Sequence, residues 1–237
     1  MQFLKEAYYK KYSKRSYSFN SVDLVIDYLF KDIRNGIYVD VGCNHPIKYN
    51  NTYILHKRGW SGINIDLDDS SIKLFKKYRK NDCNIAALVS NDEEIKKTYI
   101  YHDRSPINTV EKTLVDLKEN KPKKIIEKKS ITLNKIIENS PFNNKKINLL
   151  TIDVEGHEFP VLENFDFSKY RIDVVVVELL DKKIKKMEIW KQSIDMILNS
   201  NICNLLIKKG FRLVNLIHSD LIFVNNNFNG GIKNEQF

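Results

Sequence analysis

Glycine is scarce in this chain. There are 8 in 237 residues, with 5 prolines and 3 cysteines. The first β-rich run, "GIYVDVG", is followed by Gly42 alone and not by the glycine triplet of a G-x-G-x-x-G turn. Pyrophosphate needs that close backbone approach at a helix N-terminus, so a dinucleotide site is not expected. Cys43, Cys83 and Cys203 are odd in number and scattered, with no C-x-x-C. This excludes a disulfide framework and a structural zinc site, and leaves free thiols. Long apolar runs are also missing. "DVVVVELL" is far short of the ~20 residues that a membrane span needs. The stretch "MQFLKEAYYKKYSKRSYSF" lacks the apolar core of a signal peptide, so a cytoplasmic location is expected. Acidic residues are in deficit, 30 against 39 Lys and Arg, for a net charge of +9. Such a surface can attract nucleic acid, anionic lipid or a phosphorylated ligand. The lysines are dispersed, however, in a chain crowded with Lys, Asn and Ile, as in proteins of AT-rich genomes. No nucleic-acid partner is expected.

What is present is a rhythm. Residues 1–35 read as a helical extension, with "SVDLVIDYLFKDI" at helical spacing and Ser21 as its N-cap. Residues 36–237 then form one domain. "GIYVDVG", "SGINIDL", "CNIAALVS", "INLLTIDV" and "RIDVVVVEL" are short runs, largely apolar on both faces, as in strands buried between helices. Helical patterns separate them: "NNTYILHKRG", "SSIKLFKKYRK" and a long "EIWKQSIDMILNSNICNLLIKKG". "FRLVNL" and "DLIFVN" read as a closing antiparallel pair. The alternation predicts a doubly wound α/β sheet. Residues 102–130, "HDRSPINTVEKTLVDLKENKPKKIIEKKS", interrupt the rhythm. They read as a basic lid over an acceptor site whose lysines meet a nucleotide-sugar diphosphate, or else as a solvated helical hairpin.

Ligands of such sheets sit beyond the carboxyl ends of the strands. Asp40 and Gly42 follow the first run as a single D-x-G turn, which suits a ligand with an amino-acid end and no phosphate, as in S-adenosylmethionine. Asp40 would accept from its ammonium group, and Gly42 would let the ligand cross the backbone. Asp66, after the second run, has the place of an acid that bonds ribose hydroxyls, although capping the next helix is a competing role. Asn84 and Ala86 in the third run would lie beneath the adenine, or be ordinary strand residues. The fourth run ends in "IDVEGHE", beside the first strand across the switch point. There Asp153 and Glu155 would position the methionyl end and the substrate, while Gly156 turns the chain. His157 has a side chain suited to general-base work near neutrality, with His45 and Glu155 as further candidates. Glu155, His157 and Glu158 would equally suit the opening turn of a helix. No run of consecutive acids follows the fourth strand, so no metal is expected, although Asp153 and Glu178 could share one.

The blocks "YVDVGCNHP…NNTYILHKRGWSGINID", "SITLNKIIENS…INLLTIDVEGHEFPVLENFDF", "DVVVVEL" and "DLIFVN" resemble the FkbM family of S-adenosylmethionine-dependent methyltransferases. The resemblance implies a Rossmann-like class I fold, with a mostly parallel seven-stranded sheet, helices on both faces and an antiparallel last strand. It implies S-adenosyl-L-methionine as cofactor and S-adenosyl-L-homocysteine as product. The matching positions are Asp40, Gly42, Asp66, Asp153, Glu155 and Gly156. It also implies O-methylation, and the expected acceptor is a sugar hydroxyl on a nucleotide-activated sugar or a surface polysaccharide. N-methylation of a glycan amide, methylation of a lipid or small metabolite, and an RNA-binding or RNA-methylating protein are the alternatives. The oligomeric state stays open, a homo-oligomer included.

Overall fold

A computed structural model describes residues 13–181 and 186–230. Helix α1 (Val22–Leu29) precedes β1 (Ile37–Val41), α2 (Tyr53–Lys57), β2 (Ser61–Asp66), α3 (Asp69–Tyr78) and β3 (Cys83–Ala86). Then come β4 (Leu88–Val89), β5 (Ile95–Ile100), α4 (Lys112–Leu117), β6 (Lys124–Ile131) and α5 (Leu133–Glu138). β7 (Ile147–Ile152), α6 (Glu158–Glu163) and β8 (Ile172–Glu178) follow. After a 3₁₀ turn at Lys186–Lys191, α7 (Ile194–Leu198), α8 (Asn201–Lys208), β9 (Phe211–Ile217) and β10 (Asp220–Asn225) complete the chain.

Seven strands form the main sheet in the order β3-β2-β1-β7-β8-β10-β9. β10 runs antiparallel to both its neighbours, and the other pairs are parallel. This is the mostly parallel α/β sheet that the sequence predicts. The order reverses between β1 and β7, which opens the switch-point crevice where such sheets bind ligands. β7 and β8 are buried along their whole length, because helices cover both faces. One apolar layer centres on Val39, Ile63, Leu150, Val175 and Phe223. The opposite layer, with Tyr38, Leu149, Val174 and Ile222, is closed by α1 through Val22 and Ile26. Among the described residues, no helix is long and apolar enough to cross a membrane.

Four sequence expectations change. "CNIAALVS" is two strands, because the chain leaves the main sheet after Ala86 and β4 joins β6 and β5 in a second, three-stranded sheet. The long C-terminal helix is broken into α7 and α8, since Ser193 and Ser200 each cap a new start by accepting from Met196 N and Cys203 N. Ser21 sits at the start of α1 in a left-handed conformation and makes no side-chain cap bond. Asp23 fastens that end instead, accepting from Ser16 Oγ, Ser18 Oγ and Tyr17 N. Residues 102–130, read as a lid or else as a helical hairpin, are not such a hairpin. They comprise a loop, α4 and most of β6, which pairs with β5. The first 12 residues of the expected helical extension lie outside the described residues.

Candidate active site

A cleft of about 650 Å³, open to solvent, lies over the carboxyl ends of β1, β2 and β7. Val41, Gly42 and Asn44 line it from the end of β1, and Ile65, Asp66 and Leu67 from the end of β2. Ala87, Leu88 and Val89 line it where the chain crosses from β3 to β4. Ser105, Pro106, Asn108 and Val110 of the insertion line it as well, together with Asp153, Glu155 and His157.

Gly42 is set by a close approach. Its φ is +81°, and a Cβ there would lie 1.7 Å from the carbonyl oxygen of Asp153. The glycine admits the neighbouring β7 loop, a tighter constraint than the passage of a ligand. Asp66 Oδ2 accepts from Asn44 N and Oδ1 from Asp68 N, each at 2.8 Å. Helix capping falls to Asp68, which accepts from Ser70 N, so Asp66 keeps acceptor capacity toward the cleft. Burial pushes its carboxyl up to about 6, against the two backbone donors that hold it down.

The turn after β7 carries most of the chemistry. Glu155 and Gly156 are both left-handed, at φ +53° and +95°. Glu158 closes the turn from within: its Oε1 accepts from Val154 N and Gly156 N, both at 3.0 Å. Burial, then the nearby Glu178, raises its carboxyl to about 8. Carboxylate oxygens of Asp153, Glu155 and Glu178 lie within 4.8 Å of one another. Lys118 Nζ stands 4.0 Å from Glu155. A divalent ion fits that spacing, but acids gathered at a mouth are also common without one.

The insertion is fastened to this turn. Thr109 Oγ1 donates to Glu155 O at 2.8 Å. A Cβ on Gly156 would lie 2.6 Å from Leu114 Cδ1 of α4. His157 Nδ1 is 2.7 Å from Glu111 Oε1, and its Nε2 is 3.0 Å from Ser90 Oγ. His157 thus lines the cleft with both ring nitrogens engaged, one by the insertion and one by the segment after β4. Neither Ser90 nor Glu111 carries a sequence signal of this role.

Other expected site residues lie deeper. Asp40 is buried and does not line the cleft; its Oδ2 accepts from Thr52 Oγ1 at 2.8 Å and Asn50 Nδ2 at 3.1 Å. Asn84 is also below the mouth. It pairs with Asn64 and donates to the carbonyls of Arg79 and Asp82. Ala86 is displaced from the lining by the next three residues. His45 lies outside the lining too, and its Nδ1 accepts from Ile47 N and Lys48 N. The neutral ring therefore carries its proton on Nε2, and taking a second at Nδ1 would break both bonds. Burial, with Arg104, Lys48 and Arg79 nearby, further lowers its affinity for that proton. These contacts count against His45 as a base.

Sequence reasoning misses Arg79, which is 0% exposed. Its guanidinium donates to Pro46 O, Asn50 Oδ1 and Thr52 Oγ1, the last two being the residues that hold Asp40. It lies in a lysine-rich run and no motif marks it.

The family model described as the methyltransferase FkbM domain matches residues 40–213. The chain belongs to the FkbM methyltransferase family. As an FkbM methyltransferase it uses S-adenosylmethionine. The cleft's chemistry fits that molecule: a buried carboxylate at the end of β2, apolar walls beside it and no phosphate cradle. No curated protein matches the chain. Among solved structures, a TehB-like SAM-dependent methyltransferase from Corynebacterium glutamicum is similar at a TM-score of 0.43 and 12% identity, over 94% of this chain and 96% of that one. So slight a likeness does not bear on the site.

Proposed function

We propose that this FkbM methyltransferase O-methylates a sugar hydroxyl, on a nucleotide-activated sugar or a surface polysaccharide. The observation that carries the reading is the gathering of Asp153, Glu155 and Glu178 beside the cofactor cleft. Carboxylates accept hydrogen bonds and nothing else when ionised, which suits an acceptor rich in hydroxyl donors.

S-adenosylmethionine supplies an electrophilic methyl group. The protein's part is to align the nucleophile and to take its proton. In this assignment Asp66 accepts from the ribose hydroxyls, Gly42 and Asn44 line the cleft from the end of β1, and Ala87 to Val89 flank the adenine. Asp153 takes the methionyl ammonium. Glu155 receives the hydroxyl proton, its carboxylate held at the mouth by the left-handed turn. His157 keeps that turn against the insertion through Glu111 and Ser90. Asp40 and Asn84 support the cleft from below. Lys118 is the insertion lysine with a described contact to the acids. A diphosphate would meet it only at the rim, since the acids repel phosphate. Residues 36–237 act as the catalytic domain and 102–130 as its cover.

The test is mass spectrometry of products from a panel of nucleotide sugars incubated with S-adenosylmethionine. A sugar gaining one methyl group supports the reading. Methylation confined to amides, lipids or RNA overturns it. Glu155→Gln should lower kcat by about 10²–10⁴-fold while S-adenosylhomocysteine still binds. The same rate with and without a chelator would show that the acids work without a metal.

A further inference from the structure

We propose that Phe19, Tyr49 and His218 form a stacking subsite for the acceptor's sugar ring, next to the acids at the mouth; this rests on the sugar reading above. Phe19 and Tyr49 are 55% and 59% exposed and stand together, and it is an exposed apolar patch, not a single exposed ring, that marks a surface for binding. Phe19 meets Tyr49 at 5.3 Å between ring centres and His218 at 6.2 Å, edge-on in both cases. The three come from separate segments: the approach to α1, the loop after β1, and the turn between β9 and β10.

Their place in the fold points to the active side. Tyr49 follows the carboxyl end of β1. His218 is in the turn that packs on the carboxyl end of β8, where Leu179 N donates to Ser219 O. β7, whose loop holds Asp153 and Glu155, runs between those two strands. The aromatic group is also joined to the acids: His218 Nδ1 is 3.1 Å from Ser219 Oγ, which donates to Glu178 Oε1 at 2.9 Å. Glu178 in turn belongs to the cluster with Asp153 and Glu155.

Tyr49 and His218 both hold left-handed backbones, at φ +53° and +56°. A bulky residue such as Tyr49 is an outlier in that region, and such outliers gather at ligand sites. The chemistry selects the occupant. An apolar ring face covers the C–H face of a pyranose, and the neighbouring carboxylates accept from its hydroxyls. Lys48 Nζ lies 4.5 Å over the Tyr49 ring and takes one of its faces, so the sugar is left the other face of Tyr49 together with Phe19, beside carboxylates that favour a neutral ring over phosphate.

The probe is a mixture of methyl glycopyranosides added to the full chain saturated with S-adenosylhomocysteine, read by saturation-transfer NMR. Tyr49→Asn is the informative variant, because asparagine tolerates the left-handed backbone. Wild type should saturate the sugar's ring C–H protons. Tyr49→Asn and Phe19→Ala should each weaken glycoside binding about three- to tenfold, the worth of one ring contact, with unchanged S-adenosylhomocysteine affinity. Saturation undiminished in the Tyr49→Asn/Phe19→Ala double variant would overturn the subsite and leave the sugar reading standing. No saturation of any glycoside by wild type would overturn both.

Discussion

The adjacent strands β1 and β7 end in almost the same letters, Val39-Asp40-Val41-Gly42 and Ile152-Asp153-Val154-Glu155-Gly156. The two aspartates nonetheless occupy different worlds. Register explains it: Asp40 lies opposite Thr151 and Val41 opposite Ile152, so Asp153 is level with Gly42 and one pleat repeat beyond Asp40. Asp40 is still inside the sheet, tied to Asn50 and Thr52, which Arg79 holds in turn. Asp153 has cleared the sheet and faces the cleft. Equal motifs at strand ends therefore carry unequal roles. The deeper acid builds the loop and the shallower one lines the cleft.

The largest expected effect comes from breaking the deep side. Arg79→Met should destabilise the fold by about 3–5 kcal/mol, because it strips a buried polar network of its cation. Urea unfolding would measure this, and a loss within ~0.5 kcal/mol would show that the network is not what holds the β1 loop. Next in size is Asp66→Ala on the cleft side. Each charge-assisted bond to a ribose hydroxyl is worth ~1.5–3 kcal/mol, so S-adenosylhomocysteine should bind at least about tenfold more weakly by calorimetry. Asp66 also gives the cleft a pH dependence. The carboxyl titrates near 6, and the ionised form is the acceptor. Affinity should fall below that pH by at most about tenfold per unit, and Asp66→Asn should flatten the profile.

A further effect, read as a slope in pH, concerns Glu158, the buried acid that closes the β7 turn. In the folded chain it keeps its proton up to about pH 8, whereas an unfolded glutamate loses it near ~4.3. The folded state binds more protons across that window. Its stability contribution is therefore fully present at low pH and declines as pH rises toward 8, by at most ~1.4 kcal/mol per unit. Glu158→Gln removes the slope, so its Tm should gain on wild type between about pH 5 and 8. Parallel curves would mean that Glu158 titrates as it does when unfolded.

The strand–helix rhythm was legible because buried parallel strands are apolar on both faces, and "INLLTIDV" and "RIDVVVVEL" are the plainest cases. The placing of Gly42, Asp66, Asp153, Glu155 and His157 around one cleft also followed from their positions after strands. Depth was not legible. Whether Asp40 or Asn84 reaches the mouth depends on where the pairing of β1 and β3 stops, and pairing register is a property of two strands together. Ala86 stops short of the lining in the same way, since the chain changes sheets one residue later. The ties of His157 to Ser90 and Glu111 span 67 and 46 residues, and no local pattern encodes them. Arg79 was hidden among lysines of ordinary surface appearance.

The contrast between the two aspartates can be tested in one measurement: calorimetric titration of S-adenosylhomocysteine into folded Asp40→Asn and Asp153→Asn at a temperature where both are native. Asp40→Asn should bind as wild type does, because its carboxylate is buried against Asn50 and Thr52 and does not line the cleft. Asp153→Asn should bind at least about tenfold more weakly, having lost a charged partner for the ammonium group. The opposite ranking, with Asp40→Asn weakened and Asp153→Asn unchanged, would contradict the account.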